Sequence, residues 1–211
     1  MKAPFHDRAA AGRTLARMLL RYRAGAALVL AIPSGGVPVA LEIAASLGLP
    51  LEVVPVSKVL LPWNSEAGYG AVAFDGSLWI DAAAPKRWNL TREQMDQGIA
   101  EARAKVERRN VRLRAARALP DVAGRTAILV DDGIAAGSTM RAAIAALRKL
   151  APAQIVVAVP TAHESALEAI GELADEVCCA NVRGGLRFAV ADAYEIWSDL
   201  TDDEVARMLG L

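Results

Sequence analysis

The sequence predicts an α/β protein, a doubly wound and mainly parallel sheet with helices on both faces. Three observations predict it. Helix-period and strand-like segments alternate along most of the 211 residues. The strand-like segments AALVLAI (26–32), TAILV (126–130) and QIVVAV (154–159) are apolar runs with little polar alternation, the pattern of strands covered on both sides. Glycine-rich stretches follow the first two of these runs directly, as at strand-to-helix connections.

Taken in order, Arg8 to Tyr22 has helical period, and Ala26 to Ile32 is the first strand. Val37 to Leu47 is small, apolar and helical, and Leu51 to Ser57 returns to strand. Val59 to Gly70, VLLPWNSEAGYG, carries proline, asparagine and glycine and reads as a long loop. Ala71 to Phe74 and Ser77 to Ile80 are short strands split by Asp75-Gly76, a hairpin signal. Arg92 to Arg117 is a long charged helix. Strands at Thr126–Val130, Gln154–Val159 and Glu176–Ala180 then alternate with helices at Ser138–Leu150 and Glu164–Leu173. A last helix, Leu200 to Leu209, begins at Thr201 with Glu204 three residues on, a capping box. No repeat or low-complexity linker interrupts the pattern, so residues 1–211 read as one domain with a core at about 26–180 and a small hood from the termini.

Composition narrows the function. With 24 basic and 24 acidic residues the formal net charge is zero, which argues against a general nucleic-acid or membrane-surface binder. The first 22 residues carry arginines throughout and read as an amphipathic helix rather than a secretion signal. No stretch approaches the roughly 20 apolar residues of a membrane span. Cys178 and Cys179 are adjacent in an apolar run and suit a reducing cytoplasm. The two histidines, His6 and His163, lie far apart, so metal-hydrolase and Cys-His readings start weak. The bases of the long helix (Arg103, Lys105, Arg108, Arg109, Arg112, Arg114, Arg117) are spread around it and interrupted by Glu101 and Glu107; it reads as a solvated or subunit-facing helix.

Two strand ends carry unusual chemistry. At the first, Ile32-Pro33-Ser34-Gly35-Gly36-Val37-Pro38, paired glycines admit a ligand close to the backbone, and Pro38 suits the first helical turn. At the second, Asp131 and Asp132 precede Gly133 to Thr139, a loop whose amides would open onto the N-terminus of the next helix. Ser138 and Thr139 add hydroxyls. Adjacent carboxylates repel, and something positive or hydroxyl-rich best explains them. A kinase-type P-loop fails for want of a lysine in this loop, and the first loop does not supply G-x-G-x-x-G for a dinucleotide. An aspartyl phosphatase would want acids two apart on an early strand. What remains is a sugar phosphate.

Ile128 to Met140, four apolar residues, two acids and a loop ending in Gly-Ser-Thr, resembles the 13-residue signature of the type I phosphoribosyltransferases. Ile32 to Val37 resembles that family's pyrophosphate loop. PSGGVPVA, VSKVLLPWNSEAGYGAVAFDG and FAVADAYEIWSDLTDDEV resemble segments of one bacterial branch of predicted members. The resemblance implies the family's fold and a ligand, 5-phosphoribosyl 1-pyrophosphate, with Mg²⁺. It implies that Asp131 and Asp132 hold the ribose hydroxyls, directly or through the metal's waters. Ala135, Ala136, Gly137, Ser138 and Thr139 would cradle the 5-phosphate, and Ser34, Gly35 and Gly36 the pyrophosphate. A cis peptide is expected at Ser34–Gly35 or the preceding pair. Val59 to Gly70 sits where the family has a mobile lid, Lys58 would reach the pyrophosphate, and Glu66 and Tyr69 would meet the acceptor. Tyr194 and Trp197 read as packing residues.

Departing the sugar, pyrophosphate leaves positive charge on the ribose and carries negative charge away. Carboxylates stabilise the first, and backbone amides with a divalent cation the second, so no protein nucleophile is needed. Three positions depart from the family pattern. Ser34 stands where a basic residue is common and Ala136 where threonine is frequent. Ala135 stands where 6-oxopurine enzymes carry an aspartate, which argues against hypoxanthine and guanine. The reading is a phosphoribosyltransferase for an unidentified nitrogenous base, dimeric as is usual in the family. A non-catalytic sugar-phosphate sensor, and a hydrolase or phosphorylase-like activity on a ribose phosphate, remain open beside it.

Overall fold

The computed structural model describes residues 3–115, 118, 121–185 and 188–211, apart from the side chains of residues 65 and 66. Its main sheet has five parallel strands: β1 (Leu28–Ala31), β2 (Leu51–Val53), β6 (Thr126–Val130), β7 (Gln154–His163) and β8 (Glu176–Arg183), in the order β2-β1-β6-β7-β8. β1 and β6 are central neighbours, with Ala31 opposite Val130. Side chains alternate across such a sheet, and here both sides are buried. Val29, Ala31, Ile128, Val130, Val156 and Ala158 pack with α1 (Arg8–Met18), α2 (Gly36–Leu47) and α7 (Asp202–Met208). Leu28, Leu30, Leu129, Ile155 and Val157 pack with α5 (Ser138–Arg148) and α6 (Glu164–Gly171) on the other face. That double burial is why the strands read as unbroken apolar runs, and it bears out the doubly wound expectation.

The expected loop at Val59 to Gly70 is instead a hairpin. β3 (Ser57–Leu61) and β4 (Asn64–Val72) pair antiparallel, with Val59 opposite Gly70, and β5 (Leu78–Ile80) adds a third strand beyond the turn at Gly76. The glycines that suggested a loop serve close strand approach: a Cβ on Gly70 would stand 2.5 Å from the Trp79 carbonyl oxygen, and one on Gly68 3.0 Å from that of Val59. A short helix, α3 (Ala84–Arg87), leads to α4 (Arg92–Arg114), whose Ala102 and Val106 pack on Val59, Leu61, Tyr69 and Val72. The strand expected over Leu51 to Ser57 is likewise two. β2 stops at Val53 and β3 starts at Ser57, with Pro55, which has no N–H for a ladder, between them.

The two termini meet. Phe5 donates its N–H to Ala193 O (3.0 Å), and Glu195 and Ile196 donate theirs to Phe5 O and His6 O. Thr201 and Glu204 form the anticipated capping box at α7, and Thr91 with Gln94 forms a second at α4.

The helices over β1 lie close together because α1 carries a glycine at the crossing. A Cβ on Gly12 would stand 2.6 Å from Val39 O and 2.8 Å from Glu42 Cβ. Gly12→Ala should therefore lower the thermal midpoint: overpacking costs about 1–3 kcal/mol, against about 1 kcal/mol gained in helix propensity. Calorimetric unfolding of the two proteins checks the sign.

Candidate active site

Parallel pairing of β1 with β6 brings the two unusual loops side by side. Ile32, one residue past β1, donates its N–H to Val130 O at 2.8 Å, so the Pro33–Gly36 turn and the Asp131–Asp132 pair leave the sheet together. They are packed without room for side chains between them. A Cβ on Gly36 would lie 2.7 Å from Val130 O and 2.9 Å from Asp131 Cα, and one on Gly35 would overlap the Asp132 carboxylate. The Pro33–Ser34 peptide is cis, at the second of the two expected places.

After the acids the chain is pinned once and then turns. Ile134 N donates to Thr161 O and His163 N donates to Ile134 O, both at 2.9 Å, a bridge to the far end of β7. Ala135 and Ala136 then stand exposed, and Gly137, at φ +78°, caps α5 with no side-chain partner. The first-turn amides of a helix have no intrahelical acceptor, so this end presents N–H groups and positive dipole beside the acids. Ser138 is buried and Thr139 half-buried there.

The acids are electrostatically costly. Burial pushes the Asp131 carboxyl well up from its ordinary range, and the charge of Asp132 adds to it. The Asp132 N–H donates to Asp131 Oδ1 at 2.9 Å and works against the shift, as do Lys58 and Arg8. Burial raises Asp132 too, opposed chiefly by Arg8. Arg8, from the start of α1, donates from Nε to Asp132 Oδ2 at 2.9 Å. The buried Tyr194 hydroxyl donates to Asp132 O at 2.6 Å, and burial drives that phenol upward. Tyr194 and Trp197 are thus packing residues, as read, but they pack against the site itself. Lys58, exposed on β3, contributes positive charge to both acids.

The long basic helix is not simply solvated. Arg109 is 8% exposed and lies under the first loop. It donates to Pro33 O (3.0 Å), Ser34 Oγ (3.0 Å), Val56 O (3.4 Å) and Asp202 Oδ1 (2.9 Å). Arg112 pairs with Asp203 of α7 at 2.9 Å, and Arg114 is buried, while Arg117 lies outside the described residues. Lys105, one turn before Arg109, is exposed, and desolvation and the neighbouring Arg109 hold its ammonium below the ordinary lysine range. Arg109 was findable in the sequence: it occupies a buried stripe Ala102–Val106–Arg109–Leu113 at helical spacing, where an apolar residue is the rule. Arg8 had no such signal, because its partner lies 124 residues away.

Of the residues expected at the acceptor, Tyr69 is 2% exposed in the core between β4 and α4, so it does not line an open site. The side chain of Glu66 lies outside the described residues. Among the described residues no three His, Cys, Asp or Glu side chains gather as a metal cage.

Comparison with known proteins bears on the fold and the family. The family model for the phosphoribosyl transferase domain matches residues 5–193. Two Mycobacterium tuberculosis proteins, from strains CDC 1551 and H37Rv, whose names place them among the phosphoribosyl transferases, are each 37% identical over 205 residues. The match takes in 97% of this chain and 46% of theirs, so the chain spans about half the length of these curated relatives. The crystal structure of TT1426 from Thermus thermophilus is 36% identical, covers 99% of this chain and 98% of that one, and superposes with a TM-score of 0.77.

The raised carboxyl of Asp131 has a consequence for stability. Its folded-state pKa lies above the unfolded value, so stability is greatest below the unfolded pKa and falls as pH rises through the folded one. Asp131→Asn removes that loss. The substituted protein, free of ligand, should melt higher than the unaltered one at pH 7, with the difference shrinking as pH approaches 4. Thermal unfolding across that range measures it.

Proposed function

The chain belongs to the phosphoribosyl transferase domain family, and from that premise we propose that it moves the 5-phosphoribosyl group of 5-phosphoribosyl 1-pyrophosphate to a nitrogenous base and releases pyrophosphate. One observation carries the reading: the cramped apposition of the Pro33–Gly36 turn with Asp131–Asp132, beside an uncapped helix start. Asp131 and Asp132 receive the ribose hydroxyls and stabilise positive charge developing on the sugar. Amides of Ala135, Ala136, Gly137, Ser138 and Thr139 hold the 5-phosphate, with the two hydroxyls as further donors. Ser34, Gly35 and Gly36 take the pyrophosphate, with Lys58 of β3 as a further positive charge. The charge that Ser34 lacks is supplied from beneath, because the Arg109 guanidinium bonds both that serine and the Pro33 carbonyl. This favours turnover over a purely sensing role.

Two adjacent, half-buried carboxylates, of which Asp132 alone is ion-paired among the described residues, suit Mg²⁺, a hard cation that accepts few protein oxygens and keeps waters and substrate phosphates as its other ligands. Asp131 and Asp132 would hold it through water, and when bound it neutralises charge on the departing pyrophosphate. The protein's own part is positioning: aligned amides and carboxylates that need no rearrangement as charge moves.

Ala135 leaves no carboxylate for the ring of a 6-oxopurine, so the acceptor we assign is another base. Pro62 and Trp63, the latter 57% exposed at the tip of the β3–β4 turn, form the contact we assign to a homodimer. Among the described residues no helix is long and apolar enough to cross a membrane, and we assign the protein to the cytoplasm.

The test follows consumption of 5-phosphoribosyl 1-pyrophosphate with Mg²⁺ and pooled nucleobases, beside Asp131→Asn/Asp132→Asn. Acceptor-dependent pyrophosphate release should fall by at least about 10²-fold in the double variant, the scale of lost transition-state charge stabilisation. Tight binding with no acceptor-dependent release would replace the transferase reading with that of a sensor.

A further inference from the structure

Arg8 is placed as few surface-helix arginines are. Its residue exposure is 9%, although it stands at the first position of α1, where Asp7 already caps the helix through Ala10 N. Its guanidinium is used along one edge and on one face. Nε donates to Asp132 Oδ2 and one terminal nitrogen donates to Ser198 O, both at 2.9 Å. The flat face lies 3.8 Å from the Trp197 ring centroid, with the Tyr194 ring at 5.9 Å. A lysine offers neither the fork nor the face.

Enclosed ion pairs seldom add net stability, since the loss of hydration offsets the attraction, so stability alone does not account for this one. What the arrangement does is fix Asp132 from both termini. Tyr194 holds the Asp132 carbonyl, Arg8 holds Oδ2, and Gly35 lies against the carboxylate. Among the described residues, no side chain donates a hydrogen bond to Asp132 Oδ1 in this arrangement.

We propose that Arg8, seated on Trp197, is the positioning residue for Asp132, binding Oδ2 so that Oδ1 is presented to the ribose of the sugar phosphate. The role rests on the ribosyl reading above. It makes the hood part of the catalytic apparatus: α1 and the segment Tyr194–Ser198 set the direction of a carboxylate that lies just past β6. Arg8 itself touches no ligand and acts only through Asp132.

A role through Asp132 and a merely structural tie between the termini differ in one respect. If Arg8 acts through Asp132, its loss has little effect once Asp132 is gone. The measurement is calorimetric titration of ribose 5-phosphate, and of 5-phosphoribosyl 1-pyrophosphate with Mg²⁺, into the full chain. The proteins are the unaltered chain, Arg8→Met, Arg8→Lys, Asp132→Asn and Arg8→Met/Asp132→Asn. Arg8→Met should weaken binding by about tenfold or more, and Arg8→Lys, which keeps the charge, by less. In the Asp132→Asn background, Arg8→Met should change affinity by no more than about threefold. Equal losses in both backgrounds would overturn the role and leave the ribosyl reading standing. Failure of the unaltered chain to bind either sugar phosphate would overturn both.

Discussion

Two like charges on adjacent residues, at the end of a buried strand and against a turn with no side-chain room, are the constraint on which the rest of this structure depends. Asp131 and Asp132 cannot both sit there ionised without compensation, because desolvation and mutual repulsion act together. The protein provides only part of it. Arg8 serves one oxygen of one acid, Lys58 adds charge from β3, and a backbone N–H serves the other acid. The deficit is held in place by a five-stranded sheet buried on both faces, whose core residues do not depend on the site. A stable core that tolerates a costly site is the usual compromise of a binding protein.

Around that deficit several elements contribute backbone amides, open backbone or positive charge. The start of α5 supplies uncapped amides. The β1 turn supplies a backbone with no side chains in the way, and Arg109 backs it from α4. Arg109 in turn is paired with Asp202, so α7 braces the same loop. The two termini therefore both end at the site: α1 and the Tyr194–Ser198 segment at Asp132, α7 at Ser34.

The fold was legible because it rests on patterns local to the chain. Continuous apolar strands signal burial on two faces, and capping residues mark helix starts such as Thr201. The acid pair and both loops were legible for the same reason, since strand pairing alone brings them together. The β3–β4 hairpin was not, because glycines at 68 and 70 that admit close strand contact look in sequence like glycines of a loop. Arg109 was hidden by its company, one base among seven on a helix, although its place in an apolar stripe was a usable signal. Arg8 was beyond reach, since a contact between residues 8 and 132 is a property of the tertiary structure alone.

On the proposed function, the acid pair and the loop after it form one ribose-phosphate site. A crystal structure of the full chain soaked with ribose 5-phosphate tests it most directly. The phosphate should lie on the amides of residues 135–139, with the ribose hydroxyls within hydrogen-bonding distance of the Asp131 and Asp132 carboxylates. A sugar phosphate bound elsewhere, with the loop empty and Asp132 still held by Arg8, would contradict it.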